Sequence, residues 1–317
     1  MFGLGGASTS PVALLPGCPV LRSSSLLSKG KVLQIPSRTI GGLDVSSLSP
    51  FQRFMSKIFC IANQKGGVGK TTTTLNLAAG LVKLGQRVLM IDLDPQGNAT
   101  MGSGIDKRSL TLSVYDILLE SATLAEVRTQ SAALTQAGCG YDILPSNRDL
   151  SGAEVELVAL ERREKRLQQA LTAVDGDYDF VLIDCPPSLS MLTLNGLCCA
   201  HGVIVPMQCE YFALEGLVDL VNTIRQVHGN LNRSLKIIGL LRVMFDPRIT
   251  LQQQVSQELE THYSGKGQLF ATVIPRNVRL AEAPSHGLPG IVFDAQSKGA
   301  KAFMDFAKEV LAKFDKI

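Results

Sequence analysis

The sequence predicts an α/β fold in which a doubly wound, mostly parallel sheet carries helices on both faces. Three observations point there. Short apolar runs rich in β-branched residues recur along the chain, amphipathic segments fill the intervals between them, and a Gly-rich loop joins the first run to the first segment. Apolar strands separated by helical crossovers pair in parallel, because only a connection of that length returns the chain to the same end of the sheet.

"KIFCIAN" (57–63) is a short β-rich run, "TTTTLNLAAGLVKL" (71–84) repeats apolar residues at helical spacing and stops at Gly85, and "RVLMIDLD" (87–94) is a second buried strand. Together they form one strand, helix, parallel strand unit. Further strands are expected at "YDILPS" (141–146), "YDFVLID" (178–184), "GVIVPMQ" (202–208), "LKIIGLLRV" (235–243) and "LFATVIP" (269–275), with helices around 151–174, 213–228, 249–262 and 298–314. No internal repeat or linker follows Ser56, so residues 55–317 are expected to form a single domain. Residues 1–54 are rich in Ser, Gly, Pro and Leu, lack periodicity and hold no acid before Asp44, which is the composition of a disordered extension. Their basic, acid-poor character imitates an organelle transit peptide. "MSKIFCIANQKGG" from Met55 is nevertheless a natural start for the domain, and translation from an upstream codon explains the extension at least as well.

The 317 residues are 45% apolar, enough for a large core, and no stretch reaches the roughly 18 uninterrupted apolar residues of a membrane span. A soluble globular protein is expected. Seven cysteines without a CxxC pair indicate neither a disulfide framework nor a zinc site, and four scattered histidines give no metal-ligand spacing. Charge is unevenly spread: residues 225–317 hold thirteen Lys or Arg against eight Asp or Glu, whereas residues 56–224 hold thirteen against nineteen. The last third is therefore where a polyanion partner would be sought.

"NQKGGVGKTTTT" (63–74) nearly spells a nucleoside-triphosphate phosphate loop. Gly69, Lys70 and Thr71 fit its end, Gln64 stands where the first glycine belongs, and Lys65 is one lysine more than the loop needs. Between a strand and a helix, the backbone N–H groups of Gly66, Gly67, Val68, Gly69 and Thr72 can cradle phosphates. Lys70 then reaches the β- and γ-phosphates of ATP and the Thr71 hydroxyl ligates Mg²⁺. Carboxylates at strand ends complete such a site: Asp184 closes "VLID", and "LMIDLD" offers Asp92 and Asp94, which strand alternation would place on one side, facing the phosphates.

"KGGVGKTT", "DLDPQGNAT", "DCPPSLSMLTLNGL", "PMQCEYFALEGL" and "VIPRNVRLAEAPSHG", in this order from about Met55 to the C-terminus, resemble the ParA/Soj branch of the deviant Walker A ATPases, the partitioning proteins of bacterial chromosomes and plasmids. The resemblance implies a homodimer closed over two ATP molecules, with Lys65 crossing to the phosphates held by its twin, Asp94 polarising the attacking water, and Asp92 and Asp184 supporting Mg²⁺. It implies slow hydrolysis stimulated by a ParB-like partner, binding to DNA without sequence preference through Arg248 and Arg279, and a cytoplasmic, nucleoid-associated location. Pro275 and Asn277 would lie near the adenine. "DPRIT" departs from the family's wording at the residue after Arg248.

Three rivals are distinguishable. A MinD-like positioning ATPase would use residues 298–316 as an amphipathic membrane anchor, with Phe303, Phe306, Val310 and Phe314 on one face. The same stripe reads equally as a last helix packed on the sheet. A nitrogenase-reductase-type protein would need paired cysteines facing a dimer axis, an arrangement that Cys185, Cys198 and Cys199 do not match. A non-enzymatic scaffold would have no use for Lys65, Lys70, Thr71, Asp92, Asp94 and Asp184 together.

Overall fold

The computed structural model describes residues 56–314; the expected disordered extension and Cys18 lie outside them. Eight strands form one sheet: β1 (Lys57–Ile61), β2 (Val88–Asp92), β3 (Thr129–Gln130), β4 (Asp142–Leu144), β5 (Phe180–Asp184), β6 (Gly202–Met207), β7 (Lys236–Phe245) and β8 (Leu269–Pro275), in the order β3-β4-β2-β5-β1-β6-β7-β8. Every pairing is parallel except β3 with β4. All seven expected strands are present. The two-residue β3 is an addition, too short to leave an apolar run in the sequence.

Among the described residues, five helices are longer than seven residues: α1 (Lys70–Lys83), α2 (Met191–Cys199), α3 (Tyr211–Asn230), α4 (Thr250–Tyr263) and α5 (Lys298–Phe314). Strand alternation sorts them to two faces. Phe59 and Ile61 of β1 enter one core with Leu77 and Leu81 of α1 and Phe303, Phe306 and Val310 of α5. Cys60 and Ala62 enter the other with Leu197 of α2, Leu217 and Leu220 of α3, and Val255 and Leu259 of α4. The expected helix at 151–174 is instead broken into Leu150–Glu156, Arg166–Leu171 and intervening turns, with Arg162 at a left-handed φ of 51° that no α-helix tolerates.

The apolar face of α5 is spent on the core: Phe303, Phe306, Val310 and Phe314 are all buried. That accounts for the stripe without a membrane, and among the described residues no helix is long and apolar enough to cross one. Helices α1 and α5 cross closely at Gly80, where an added Cβ would lie 2.8 Å from the Ala307 Cβ and 3.4 Å from Ile291 Cδ1. Gly80→Val is expected to lower stability by about 2–3 kcal/mol, the cost of overpacking a rigid contact, and a thermal melt of the two proteins checks it.

The β8 edge is closed by side chains. The strand bulges against β7, whose Leu240 and Arg242 pair with Leu269 and Val273. The Glu309 carboxylate accepts the Ala271 and Thr272 N–H groups at 2.7 and 2.9 Å, and the buried Arg242 guanidinium donates to the carbonyls of Phe270 and Ala271. Arg242 also binds Ser256 at 2.8 Å and Glu260, fixing α4 to the sheet.

Candidate active site

Strand order reverses around β1, with β5 on one side and β6 on the other. In open α/β sheets this crevice at the carboxyl ends of the strands is where ligands bind. The loop from Asn63 to Gly69 leaves β1 there and becomes α1. Gly67 and Gly69 have φ of 73° and 77°, left-handed values that favour glycine, and a Cβ on Gly66 or Gly67 would meet no atom within 4 Å, so an anion has room at the loop. Val68 is buried beneath it, anchoring the loop to the core.

Lys70 is buried, and its ammonium donates to the Lys65 carbonyl at 3.1 Å. Burial lowers its pKa, partly offset by Asp184, Cys185 and Asp94. Thr71 Oγ1 donates to Asp184 Oδ2 at 2.7 Å, and Thr74 Oγ1, one turn further along α1, donates to Asp184 Oδ1 at 3.0 Å. Asp184 is fully buried at the end of β5, and its pKa is raised well above the carboxylate range, chiefly by desolvation and then by the neighbouring Asp92. A carboxylate so placed favours a cation beside it. The Thr71 hydroxyl and the Asp184 carboxylate are the hard oxygen donors that Mg²⁺ prefers. Among the described residues, the buried Gln64 Nε2 and Thr73 Oγ1 lack hydrogen-bond partners, which suits a polar ligand at the loop.

Asp94 does not continue the strand as alternation implied. Strand β2 ends at Asp92, and "DPQGN" turns, with the Asp94 carboxylate accepting the Gln96 N–H at 2.9 Å and its carbonyl accepting Gly97 N–H and Ser146 Oγ at 2.8 Å each. Asp92 closes strand β2 beside it. It is fully buried, Oδ2 accepting Thr100 N–H and Oγ1 at 2.8 and 2.7 Å and Oδ1 accepting the Asp94 N–H at 3.1 Å. Asp92 therefore anchors the loop that carries Asp94, and its charge is felt by Asp184 at the end of the neighbouring strand.

A cavity of about 270 Å³ adjoins the loop, lined by Gly69, Thr72, Thr73, Met244, Pro275 and Asn277 among others. It places Pro275 and Asn277 beside the loop. The Asn277 side chain is committed to capping, accepting the Arg279 N–H at 2.8 Å. Met244, missed in the sequence, sits there at φ 52° with its Cε methyl 3.5 Å from where a Gly69 Cβ would be.

Lys65 lies at the rim. Its ammonium pairs with Glu210 Oε2 at 2.5 Å, with both side chains about 40% exposed (39% and 42%). Arg248, in the turn after β7, and Arg279, in the short helix Val278–Glu282 after β8, are exposed but held by carboxylates of their own chain. Arg248 makes a two-pronged bond to Asp246 at 2.7 and 2.9 Å, which pulls that carboxyl down to about 2. Arg279 pairs with Glu282 at 2.9 Å and lies 3.7 Å from Asp294. The described cysteines are all buried and free, and among the described residues no group of three His, Cys, Asp or Glu is arranged to hold a metal.

Fold and site together define a phosphate-loop nucleotide-binding α/β protein of the deviant type, with a second lysine in the loop. Comparison with known proteins narrows this. An AAA-domain family model matches residues 56–237. The chain is 50% identical to sporulation initiation inhibitor protein Soj of Bacillus subtilis, over 81% of this chain and 99% of that one. It is 45% identical to chromosome partitioning protein ParA of Caulobacter vibrioides, over 81% and 94%. Among solved structures, cobyrinic acid a,c-diamide synthase from Mycobacterium smegmatis with bound ADP and magnesium superposes with a TM-score of 0.71 at 39% identity, over 82% and 96%. The chain belongs to the ParA/Soj family of partitioning ATPases.

Proposed function

We propose that residues 55–317 form a Mg²⁺-dependent ATPase that closes into a homodimer on ATP, binds DNA without sequence preference in that state, and is reset by slow hydrolysis that a ParB-like partner stimulates. Its task is the partitioning of a chromosome or plasmid, carried out in the cytoplasm on the nucleoid. The observation that carries this reading is the unequal placement of two ammonium groups on one loop: Lys70 is buried over the cradle, while Lys65 stands half exposed at its rim, able to reach a second molecule.

Lys70 and the loop amides bind the β- and γ-phosphates. Thr71 and Asp184 would hold Mg²⁺, which supplies charge neutralisation between the phosphates. Asp94, its loop fixed by Asp92 and Ser146, orients the attacking water. Lys65 from one protomer places its charge on the γ-phosphate of the other and rewards closure only when that phosphate is present, as an arginine finger does. Arg248 and Arg279 exchange their carboxylates for DNA phosphates.

One experiment tests the chain of events: size-exclusion chromatography with ATP, ADP or no nucleotide, with and without DNA. Dimer is expected with ATP alone and is expected to vanish in Lys65→Ala. Arg279→Glu is expected to dimerise normally yet lose DNA retention, with the slope of log affinity against log salt reduced by about one. ATP-independent association, or a Lys65→Ala protein that dimerises like wild type, contradicts the reading.

A further inference from the structure

Glu210 has no place in the reaction proposed above, yet its carboxylate holds the ammonium on which dimer closure depends. The contact is built from both sides. Asn63 accepts the Lys65 N–H at 3.0 Å and donates to the Pro206 carbonyl at 2.8 Å, stitching the start of the loop to β6, the strand that leads into Glu210. Glu210 itself is extended (φ −126°, ψ 152°) just before α3 and makes no side-chain capping bond there, so its carboxylate is free for Lys65. An acid at this position ordinarily serves the helix start.

We propose that Glu210 is a positioning residue that parks Lys65 on its own subunit and sets how much ATP is needed to release it to a second copy of the chain. This rests on the trans role of Lys65 given above. The exchange has a direction: a single carboxylate competes with a γ-phosphoryl group that carries more charge, so the lysine leaves Glu210 when a twin loaded with triphosphate presents that group; in a diphosphate the outermost position is empty, and the lysine stays. At about 40% exposure the pair is open enough to break and shielded enough to count. A protomer without a loaded twin therefore keeps this ammonium neutralised at the rim of its site.

The test measures dimer fraction against ATP concentration by analytical ultracentrifugation, in full-length protein carrying Asp94→Ala to suppress hydrolysis. Glu210→Gln, and Glu210→Ala as a second variant, are expected to reach half-dimerisation at about fivefold less ATP than the parent, the scale of a half-exposed ion pair. Glu210→Asp, which keeps the charge, is expected to stay near the parent. Binding of a fluorescent ATP analogue to dilute monomer is expected to be the same in all four proteins, because Lys65 acts on the other subunit's nucleotide. If the parent dimerises and the Gln and Ala variants need as much ATP or more, the parking role is wrong. If the parent stays monomeric at saturating ATP, or Lys65→Ala in the same background dimerises normally, the trans lysine itself is wrong and the parking role falls with it.

Discussion

Asp184→Asn is expected to melt higher than wild type in the absence of nucleotide while losing Mg²⁺-dependent hydrolysis to background. Both effects have one cause. The wild-type carboxyl is fully buried, receives two threonine hydroxyls, and lies near Asp92, Asp94 and the Lys70 ammonium, and without a bound metal ion desolvation and the like charges still oppose its ionisation. Asparagine keeps the shape and one acceptor, and the hydroxyl facing its amide can rotate to accept. A gain of about 1–2 kcal/mol follows, or about 3–6 °C for a domain of this size. The sign with pH is fixed by the raised pKa. The folded state holds a proton that the unfolded chain has already released, so wild-type stability falls as pH rises from the ordinary carboxylate range through neutrality. The neutral variant lacks that loss, and its advantage should widen over the same window. Calorimetric melts at pH 4.5, 6 and 7.5 (about one and a half units apart, to span that window) check it. An Asn variant less stable than wild type at the highest of these would show that the buried carboxylate is better compensated than its partners suggest.

The Asp94→Ala variant is expected to bind ATP and dimerise, then remain dimeric, with hydrolysis reduced by about 10²–10³-fold, the usual contribution of a group that orients or deprotonates a nucleophile. The loop should survive the change. The Asp94 backbone keeps its bonds to Gly97 and Ser146, and Asp92 still holds Thr100 and the residue 94 N–H; only the bond to the Gln96 N–H is lost. Phosphate release and sizing on the same samples separate the two halves of the expectation. Turnover near the wild-type rate would move the water-orienting role to another residue.

The sheet was legible in the sequence because buried parallel strands are written as near-continuous apolar runs, and "VLMID" and "FVLID" have every residue buried. The phosphate loop was legible for a different reason: glycine, lysine and threonine at fixed offsets leave little room for another use. What the sequence hid were contacts between distant positions. Lys65 and Glu210 are 145 residues apart, and nothing in "QCEY" distinguishes a latch from a helix start. Strand alternation places Asp92 and Asp94 together, but β2 ends at Asp92 and the chain turns at Pro95. Thr74 could have been found, since it lies three residues from Thr71 on one helical face and both reach Asp184. The break near Arg162 had no such signal, for neither a proline nor a glycine marks it.

The plugged bulge of β8 bears on how copies of this molecule can gather. A bare outer strand is a rail along which further chains can zip, main chain to main chain, into fibres. Here Glu309 holds two of the N–H groups of β8, and at the far border β3 is two residues long, too brief to seed an added strand. Copies of this molecule at high local concentration are therefore less exposed to being drawn, strand by strand, into an irreversible ribbon.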